Sequence, residues 1–251
     1  MAFASNDMLI LVQEDDVMDK LKELSLFFPA YNEEANITDT VEKAIPVLKK
    51  VADKYEILII DDGSKDKTGE ISDKLSKKYS FVRVIHHNPN RGYGGAIKSG
   101  WYGGKYEWIA FTDADGQFDF SEITKFIEKQ KETGADLVIG YYLKRAVSPM
   151  VILTSKIWEF LVFILFGLRV KDIDCGFKMG NRKVIEKIPK LQSERGPFIT
   201  SEFLIKAKKA RFKFAQVGVH HYPRKAGAAT GRSFKVIASG LKDLISLRLR
   251  M

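Results

Sequence analysis

The sequence predicts an α/β protein built on one mostly parallel central sheet flanked by helices. Two observations carry that expectation. From residue 24 to residue 140, apolar runs of strand length alternate with segments of helical periodicity, which is the signature of βαβ units. Three of the apolar runs also stop abruptly in polar, carboxylate-bearing turns, at Glu33, at Asp61 with Asp62, and at Asp113 with Asp115. In a parallel sheet those turns share one edge, and random surface acids would not fall repeatedly at strand ends.

The elements follow in order. Residues 24–28 read as a buried strand, broken by Pro29-Ala30-Tyr31-Asn32-Glu33-Glu34. Asn36 is the candidate N-cap of a helix over 37–55, with Pro46 as a candidate kink. A strand over 55–60 runs into Asp61-Asp62-Gly63-Ser64. Ser64 or Asp66 then caps a helix to about residue 78. A third strand covers 81–86. Asn90-Arg91-Gly92-Tyr93-Gly94-Gly95 is a glycine-rich turn into a helix ending near Gly100. It matches neither phosphate-loop glycine pattern, so the glycines read as a tight turn, with Arg91 and Lys98 as candidate phosphate contacts. The run 108–111 delivers the Asp pair, and a helix over 121–133 and a strand over 135–140 follow.

Composition bounds the chemistry. Hydrophobic residues at 45% suffice for a core in a chain of 251 residues. One cysteine, Cys175, excludes an internal disulfide and fits a reducing compartment. Four histidines and that cysteine make no zinc spacing. A net charge of +9 suggests anionic partners. Without an arginine-rich arm or zinc knuckle, nucleic acid is not expected, which leaves phosphorylated ligands and a lipid surface. Residues 1–20 lack a signal-peptide pattern, and no run of eighteen uninterrupted apolar residues marks a spanning helix.

Asp113 and Asp115 stand one residue apart at a strand end, on the same side of the backbone. Two such carboxylates repel unless a cation sits between them, and hard oxygens suit Mg²⁺ or Mn²⁺. Such ions take their other ligands from phosphates and water. The pair therefore points to a metal-dependent site for a nucleoside diphosphate. A solvated acidic turn is the plain alternative for this motif taken alone.

Taken together, Pro29-Ala30-Tyr31-Asn32-Glu33, Asp61-Asp62-Gly63-Ser64, Asn90-Arg91-Gly92 and Asp113-Ala114-Asp115-Gly116-Gln117 resemble family 2 glycosyltransferases with the Rossmann-like GT-A fold. Within these, the set is similar to the dolichyl- or polyprenyl-phosphate hexose synthases. The resemblance spans about residues 24–235. It implies a nucleotide-sugar donor (GDP-mannose or UDP-glucose), Mg²⁺ or Mn²⁺, inverting transfer, and a polyprenyl or dolichyl phosphate acceptor. Carried over, Pro29, Tyr31 and Glu33 hold the nucleoside, and Asp61 and Asp62 bind base or ribose. Asp113 and Asp115 bind metal and diphosphate, with Ala114 between them and Gln117 close by. It further implies an N-terminal extension over 1–23 and a catalytic domain over 24–233. That domain comprises a nucleotide-binding half (24–140) and an acceptor-side half (141–233).

In the second half, Tyr142 stands where the family often has arginine, and Arg145 and Lys156 remain as candidates for the acceptor phosphate. Residues 150–168 are mostly apolar, interrupted by Lys156 and Glu159. A buried core helix, an interfacial helix and a spanning helix compete there, in that order on composition. The resemblance favours the interfacial reading. Asp172-Ile173-Asp174-Cys175-Gly176-Phe177-Lys178 resembles the family's D-x-x-x-G-F-[KR] segment, making Asp172 and Asp174 candidate bases or sugar-orienting acids. Cys175 reads as a packing residue. Thr200-Ser201-Glu202 opens a helix, and the resemblance places Glu202 near the site. His220-His221-Tyr222-Pro223-Arg224-Lys225-Ala226-Gly227 resembles a segment that closes over the diphosphate. Arg224 is its first phosphate contact, because a guanidinium fork matches phosphate oxygens, and Arg232 is the second. A metal role for the two histidines would need further ligands. Residues 234–251 form a basic amphipathic helix suited to a membrane surface or to packing on the domain.

The resulting expectation is a peripheral enzyme on the cytoplasmic face of a membrane. An already anionic acceptor phosphate needs little base help, whereas a saccharide hydroxyl would require a carboxylate base. That hydroxyl acceptor, or a catalytically silent nucleotide- or lipid-binding module, is the rival.

Overall fold

A computed structural model describes residues 19–144, 149–194, 196–224 and 234–251, with side chains in the last stretch from Ser239 onward. Seven strands form one sheet in the order β3-β2-β1-β4-β6-β5-β7. They are β1 Leu21–Ala30, β2 Ala52–Asp61, β3 Val82–His86, β4 Trp108–Phe111, β5 Leu137–Lys144, β6 Lys178–Asn181 and β7 Phe214–His220. β1 pairs parallel with β2 and β4, β2 with β3, and β5 with β7; β6 alone runs antiparallel, between β4 and β5. The chain winds outward from β1 through β2 to β3, then returns to place β4 on the other side of β1. That reversal creates a switch point at the carboxyl ends of β1 and β4, where ligands of open α/β sheets bind.

The helices are α1 Ile37–Val51, α2 Thr68–Lys78, α3 Tyr93–Gly103, α4 Ile123–Thr133, α5 Pro149–Phe166, α6 Arg182–Lys187, α7 Phe198–Lys209 and α8 Phe234–Arg250. A single 3-10 turn, Phe120–Glu122, leads into α4. Two apolar layers sandwich the sheet. On one face Leu24, Leu26 and Phe28 pack with Val41, Leu48, Phe126 and Ile127. On the other, Phe27 packs with Trp101, Phe111 and Phe203. Phe27 stacks on Phe111 at 5.0 Å and meets Trp101 edge-on at 5.7 Å. Gly100 lets α3 lie this close, since a Cβ there would stand 2.1 Å from the Phe27 ring.

Several boundaries move. β1 begins at Leu21, so residues 21–23 belong to the sheet and not to an extension; residues 1–18 lie outside the described residues. The first helix ends at Val51, because Ala52 already pairs with Leu21. α1 runs through Pro46 without interruption. Neither Ser64 nor Asp66 is the α2 N-cap residue, which is Lys67; the Asp66 carboxylate instead accepts from the Thr68 N–H at 2.9 Å. The two proposed halves share the sheet, as β6 and β7 come from the second and flank β5 from the first.

α5 is not a core helix. Only Ser155 and Val162 are buried along it, and one stripe, Met150, Leu153, Ile157, Phe160 and Ile164, is more than half exposed. The opposite side docks through Trp158, whose indole N–H donates to Ser201 Oγ at 2.9 Å and whose ring meets Phe198 edge-on. By length and composition α5 could cross a membrane. α8 packs through Leu244 and Leu247 and leaves Ile245 and Leu249 outward, so it is both basic and partly docked.

Glu56, on β2, is fully buried and holds the far edge of the sheet together. It accepts from Ser25 Oγ at 2.7 Å, Lys105 N–H at 2.8 Å and Arg83 Nε at 2.8 Å. Burial opposes its charge, but the Arg83, Lys105 and Ser25 hydrogen bonds outweigh that and lower its pKa. The unfolded chain therefore binds this proton more readily than the folded one. The stabilisation is complete above the unfolded glutamate value of about 4.3 and declines as pH falls through the depressed native value. In urea denaturation followed by circular dichroism, Glu56→Gln should cost about 1–3 kcal/mol at pH 7, and the gap to wild type should narrow on acidification.

Candidate active site

The carboxyl ends of β1, β2 and β4 bring the expected acids to one edge. The β1 and β2 turns are laced together. Asn32, held at a positive φ of 57°, accepts from the Lys65 N–H at 2.8 Å, and its own N–H donates to Ser64 Oγ at 3.0 Å. The Glu33 N–H donates to Thr68 Oγ1 at 2.8 Å. Pro29 pairs with Ile60 and Ala30 closes the β1 ladder opposite Asp61; Tyr31 follows, half-buried.

Asp61 accepts from the Ser64 N–H at 3.0 Å and contacts His86 Nδ1 at 2.8 Å. Burial opposes protonation of His86, but Asp61 and Asp73 outweigh it and raise its pKa. Asp62 departs from expectation. Its Oδ1 meets His87 Nδ1 at 2.6 Å and the Arg91 N–H at 2.9 Å, while Oδ2 takes the Gly92 N–H at 2.8 Å. Its carboxylate shapes the glycine-rich turn, which swings into α3 with Gly92 at φ 83°. Arg91 and Lys98 both grip Glu194, at 2.9 and 2.8 Å, and these two hydrogen bonds pull the Glu194 carboxyl down to about 2.

The β4 turn holds the centre. Asp113 Oδ1 accepts from Tyr93 OH at 3.2 Å. Asp115 Oδ1 accepts from the Gln117 N–H at 3.0 Å, and its Oδ2 from Arg224 Nη2 at 2.7 Å. The other arm of the Arg224 fork, Nη1, reaches Glu33 Oε1 at 2.9 Å, and Asn36 donates to Glu33 Oε2 at 2.7 Å. Arg224 thus ties the β1 turn to the β4 turn. The Ala114 carbonyl accepts from Thr40 Oγ1 at 3.1 Å. Gln117 is spent on Tyr222: its Nε2 donates to the Tyr222 carbonyl at 2.8 Å, and the Tyr222 N–H returns to the Gln117 carbonyl at 2.9 Å. This pair seats the strand end that carries Arg224.

Burial, with Asp115 beside it, raises the Asp113 carboxyl. That crowding is the repulsion a divalent cation relieves, and hard carboxylate oxygens suit Mg²⁺ or Mn²⁺. Among the described residues no group of three or more His, Cys, Asp or Glu side chains is placed to hold a metal ion by itself. A cation here would complete its shell from phosphate and water. His220 does not belong to such a site: its Nδ1 lies 2.9 Å from Glu122 Oε1.

The acceptor side opens as a cleft of about 510 Å³, lined by Tyr141, Tyr142, Lys156, Glu159, Lys171 and Asp172 among others. Lys156 pairs with Glu159 at 2.7 Å and donates to the Lys171 carbonyl at 2.8 Å. Burial raises the Glu159 carboxyl to about 6. Asp172 Oδ1 accepts from the N–H groups of Asp174 and Cys175, at 2.9 and 3.0 Å, and Asp174 Oδ2 from Ser155 Oγ at 3.3 Å. Asp172 shapes its own loop, and Asp174 ties that loop to α5. Cys175 is buried, which pushes its thiol up to about 12, as suits a packing residue. Glu202 is a correction: it sits on α7, takes the N–H groups of Gln192 and Ser193, and pairs with buried Lys206 at 2.5 Å. It anchors a loop and is not grouped with the Asp113 cluster. Arg145 and Arg232 lie outside the described residues.

Sequence reasoning assigned no role to Tyr93, Thr40, Gly176 or Lys178, although Tyr93, Gly176 and Lys178 lay in segments it quoted. A Cβ on Gly176 would stand 2.3 Å from Asp113 Oδ2. That contact has no local signal in the sequence.

A mostly parallel sheet with acids gathered at its β1/β4 switch point is the GT-A architecture, and the enzymes built on it in this way are glycosyltransferases. The chain belongs to glycosyl transferase family 2, whose model matches residues 25–189. It is 33% identical over 252 residues to the dolichyl-phosphate beta-glucosyltransferase of Saccharomyces cerevisiae, covering 90% of this chain and 74% of that protein. It is 30% identical to the enzyme of that description from Homo sapiens, over 91% of this chain and 76% of the other. Among solved structures, glucosyl-3-phosphoglycerate synthase of Mycobacterium tuberculosis, in complex with Mn²⁺, UDP and glucosyl-3-phosphoglycerate, superposes with a TM-score of 0.64. The identity is 20%, covering 90% of this chain and 78% of that one. At that identity the likeness establishes the fold.

Removing the Asp62 carboxylate strands the Arg91 and Gly92 N–H groups and His87. Asp62→Ala should lower stability by about 2–4 kcal/mol and weaken nucleotide binding through the deformed turn; differential scanning fluorimetry with and without UDP would read both.

Proposed function

We infer that this glycosyltransferase moves glucose from UDP-glucose to a polyprenyl phosphate of the dolichyl type, with inversion and with Mg²⁺ or Mn²⁺ as cofactor. The observation that carries the reading is Arg224, reaching from the end of β7 to bridge Glu33 and Asp115 across the switch point. A guanidinium there stands where a leaving diphosphate needs positive charge, and leaving-group stabilisation is the main electrostatic demand of the transfer. The glucosyl donor is supported by the relatives' activity and by the UDP bound in the structural relatives.

The residues divide the work. Pro29, Tyr31 and Asp61 lie along the β1 and β2 turns, where the nucleoside would rest. The metal, held by Asp113 and Asp115, would neutralise the diphosphate as the glycosidic bond breaks. Arg224 would exchange a carboxylate for a phosphate oxygen. Asp172 is committed to its loop and Asp174 accepts from Ser155 of α5, which favours an acceptor that arrives already ionised over a hydroxyl that needs a base. Lys156 and Lys171 offer cations to that acceptor phosphate, at the foot of α5.

The exposed apolar stripe of α5 is proposed to lie in the membrane interface beside this cleft, so that a lipid phosphate is met at the bilayer surface. Arg169 and Lys171, just beyond the helix, add attraction to anionic headgroups. The single free cysteine and the nucleotide-sugar donor support the cytoplasmic face.

The decisive assay follows radiolabel from UDP-glucose into lipid extract with a short-chain polyprenyl phosphate and Mn²⁺. GDP-mannose serves as the alternative donor and Asp115→Ala as the control. Lipid-extractable label from UDP-glucose should fall by about 10²-fold or more in the variant; no label with either donor would overturn the acceptor assignment. In a flotation assay with anionic vesicles, Ile157→Glu with Phe160→Glu should abolish co-flotation while Mn²⁺-dependent UDP binding persists. Undiminished flotation would remove α5 from the interface.

A further inference from the structure

Lys178 opens β6 and is completely buried. Its register partners are Phe111, the last residue of β4, and Ile139 on β5. It therefore stands beside the strand end from which the Asp113 turn departs. Its Nζ donates to the carbonyls of Ile173, at 3.1 Å, and Cys175, and lies 5.6 Å from the centroid of the Phe111 ring. A buried ammonium is costly and is usually matched by an acid or by several acceptors. Here two acceptors come from one loop, and the charges of Asp172, Asp174 and Asp113 act on it through space.

The grip has a geometric consequence. Asp172 curls the loop from its outer side by collecting the N–H groups of Asp174 and Cys175. Lys178 draws the carbonyls of residues 173 and 175 inward. The next residue, Gly176, is thereby set flat against Asp113, with room for a hydrogen and none for a methyl group. Asp113 is held by Tyr93 OH on Oδ1, by the Gly176 backbone against Oδ2, and by a buried positive charge nearby.

The geometry points to Lys178 as a positioning residue for the transfer reaction: by gripping the 172–176 loop it seats Gly176 against Asp113 and so holds the carboxylate pair in the arrangement that takes a divalent cation. The inference rests on the reading of the pair as the metal end of the donor site. It also gives the acceptor-side loop and the metal carboxylate a shared anchor, so that a shift in one moves the other.

The test is Mn²⁺ binding, with the free ion counted by electron paramagnetic resonance, in wild type, Lys178→Met, Lys178→Arg, Gly176→Ala and Asp113→Asn, each in the presence of UDP. Lys178→Met should weaken Mn²⁺ about 10–100-fold, the range for groups supporting metal ligands. Lys178→Arg should recover part of that loss by restoring donors to the Ile173 and Cys175 carbonyls. A folded Lys178→Met that binds Mn²⁺ like wild type overturns the proposal. Should Lys178→Met fail to fold, Gly176→Ala decides: its methyl group forces the Asp113 carboxylate aside and leaves the lysine in place. Weakened Mn²⁺ binding in it supports the loop-to-carboxylate coupling, and unchanged binding overturns it. Asp113→Asn separates the two layers of argument. If it too binds Mn²⁺ normally, the assignment of the metal carboxylates has failed, and with it this inference. If only the Lys178 and Gly176 variants are silent, the positioning role alone falls.

Discussion

The arrangement depends on one constraint: two carboxylates, Asp113 and Asp115, are fixed one residue apart at the end of a buried four-residue strand. Their repulsion is not relieved by the strand, which is apolar throughout. It is met from elsewhere. Arg224 arrives from the end of β7, Tyr93 from the first turn of α3, and Lys178 from the antiparallel strand wedged beside β4. Each comes from a different part of the chain, and only the switch-point topology brings them to the same place.

That topology also explains why so many site groups serve as supports. A ligand edge made of loops must hold its shape before a ligand arrives, and orphaned backbone donors near it are expensive. Asp62 spends its carboxylate on the glycine-rich turn, Glu202 on the loop before α7, and Asp172 on its own loop. Gln117 holds the end of β7 through Tyr222. Among the described residues, the side chains proposed to meet phosphate and metal are the Asp pair, Arg224 and the cleft lysines. Economy of this kind suits a transfer whose acceptor carries its own charge.

α5 sets the other boundary condition. Its docked side contributes Trp158 and Val162 to the second core layer, and its outer stripe remains apolar. The helix is thus anchored to the domain by one side while leaving an apolar stripe exposed on the other.

By itself the sequence determined the α/β class, the order of the elements through residue 144, and the convergence of Glu33, Asp61 and the Asp113/Asp115 pair at one edge. These follow from local periodicity and from the parity of a parallel sheet, both readable along the chain. Strand starts were less legible. Lys22, Glu23, Asp53 and Lys54 are polar residues at the open ends of β1 and β2, and pairing, not hydrophobicity, makes them strand. The tertiary structure alone decided which acids act and which support. A carboxylate's role is set by the donors around it: Arg224 reaches Asp115 from 109 positions away, and the backbone donors of Asp62 lie 29 and 30 positions on. It alone exposed one side of α5, because composition reports how apolar a helix is and not what covers it. It alone placed Lys178 in the core, where a charge is tolerable only because a loop folds two carbonyls onto it.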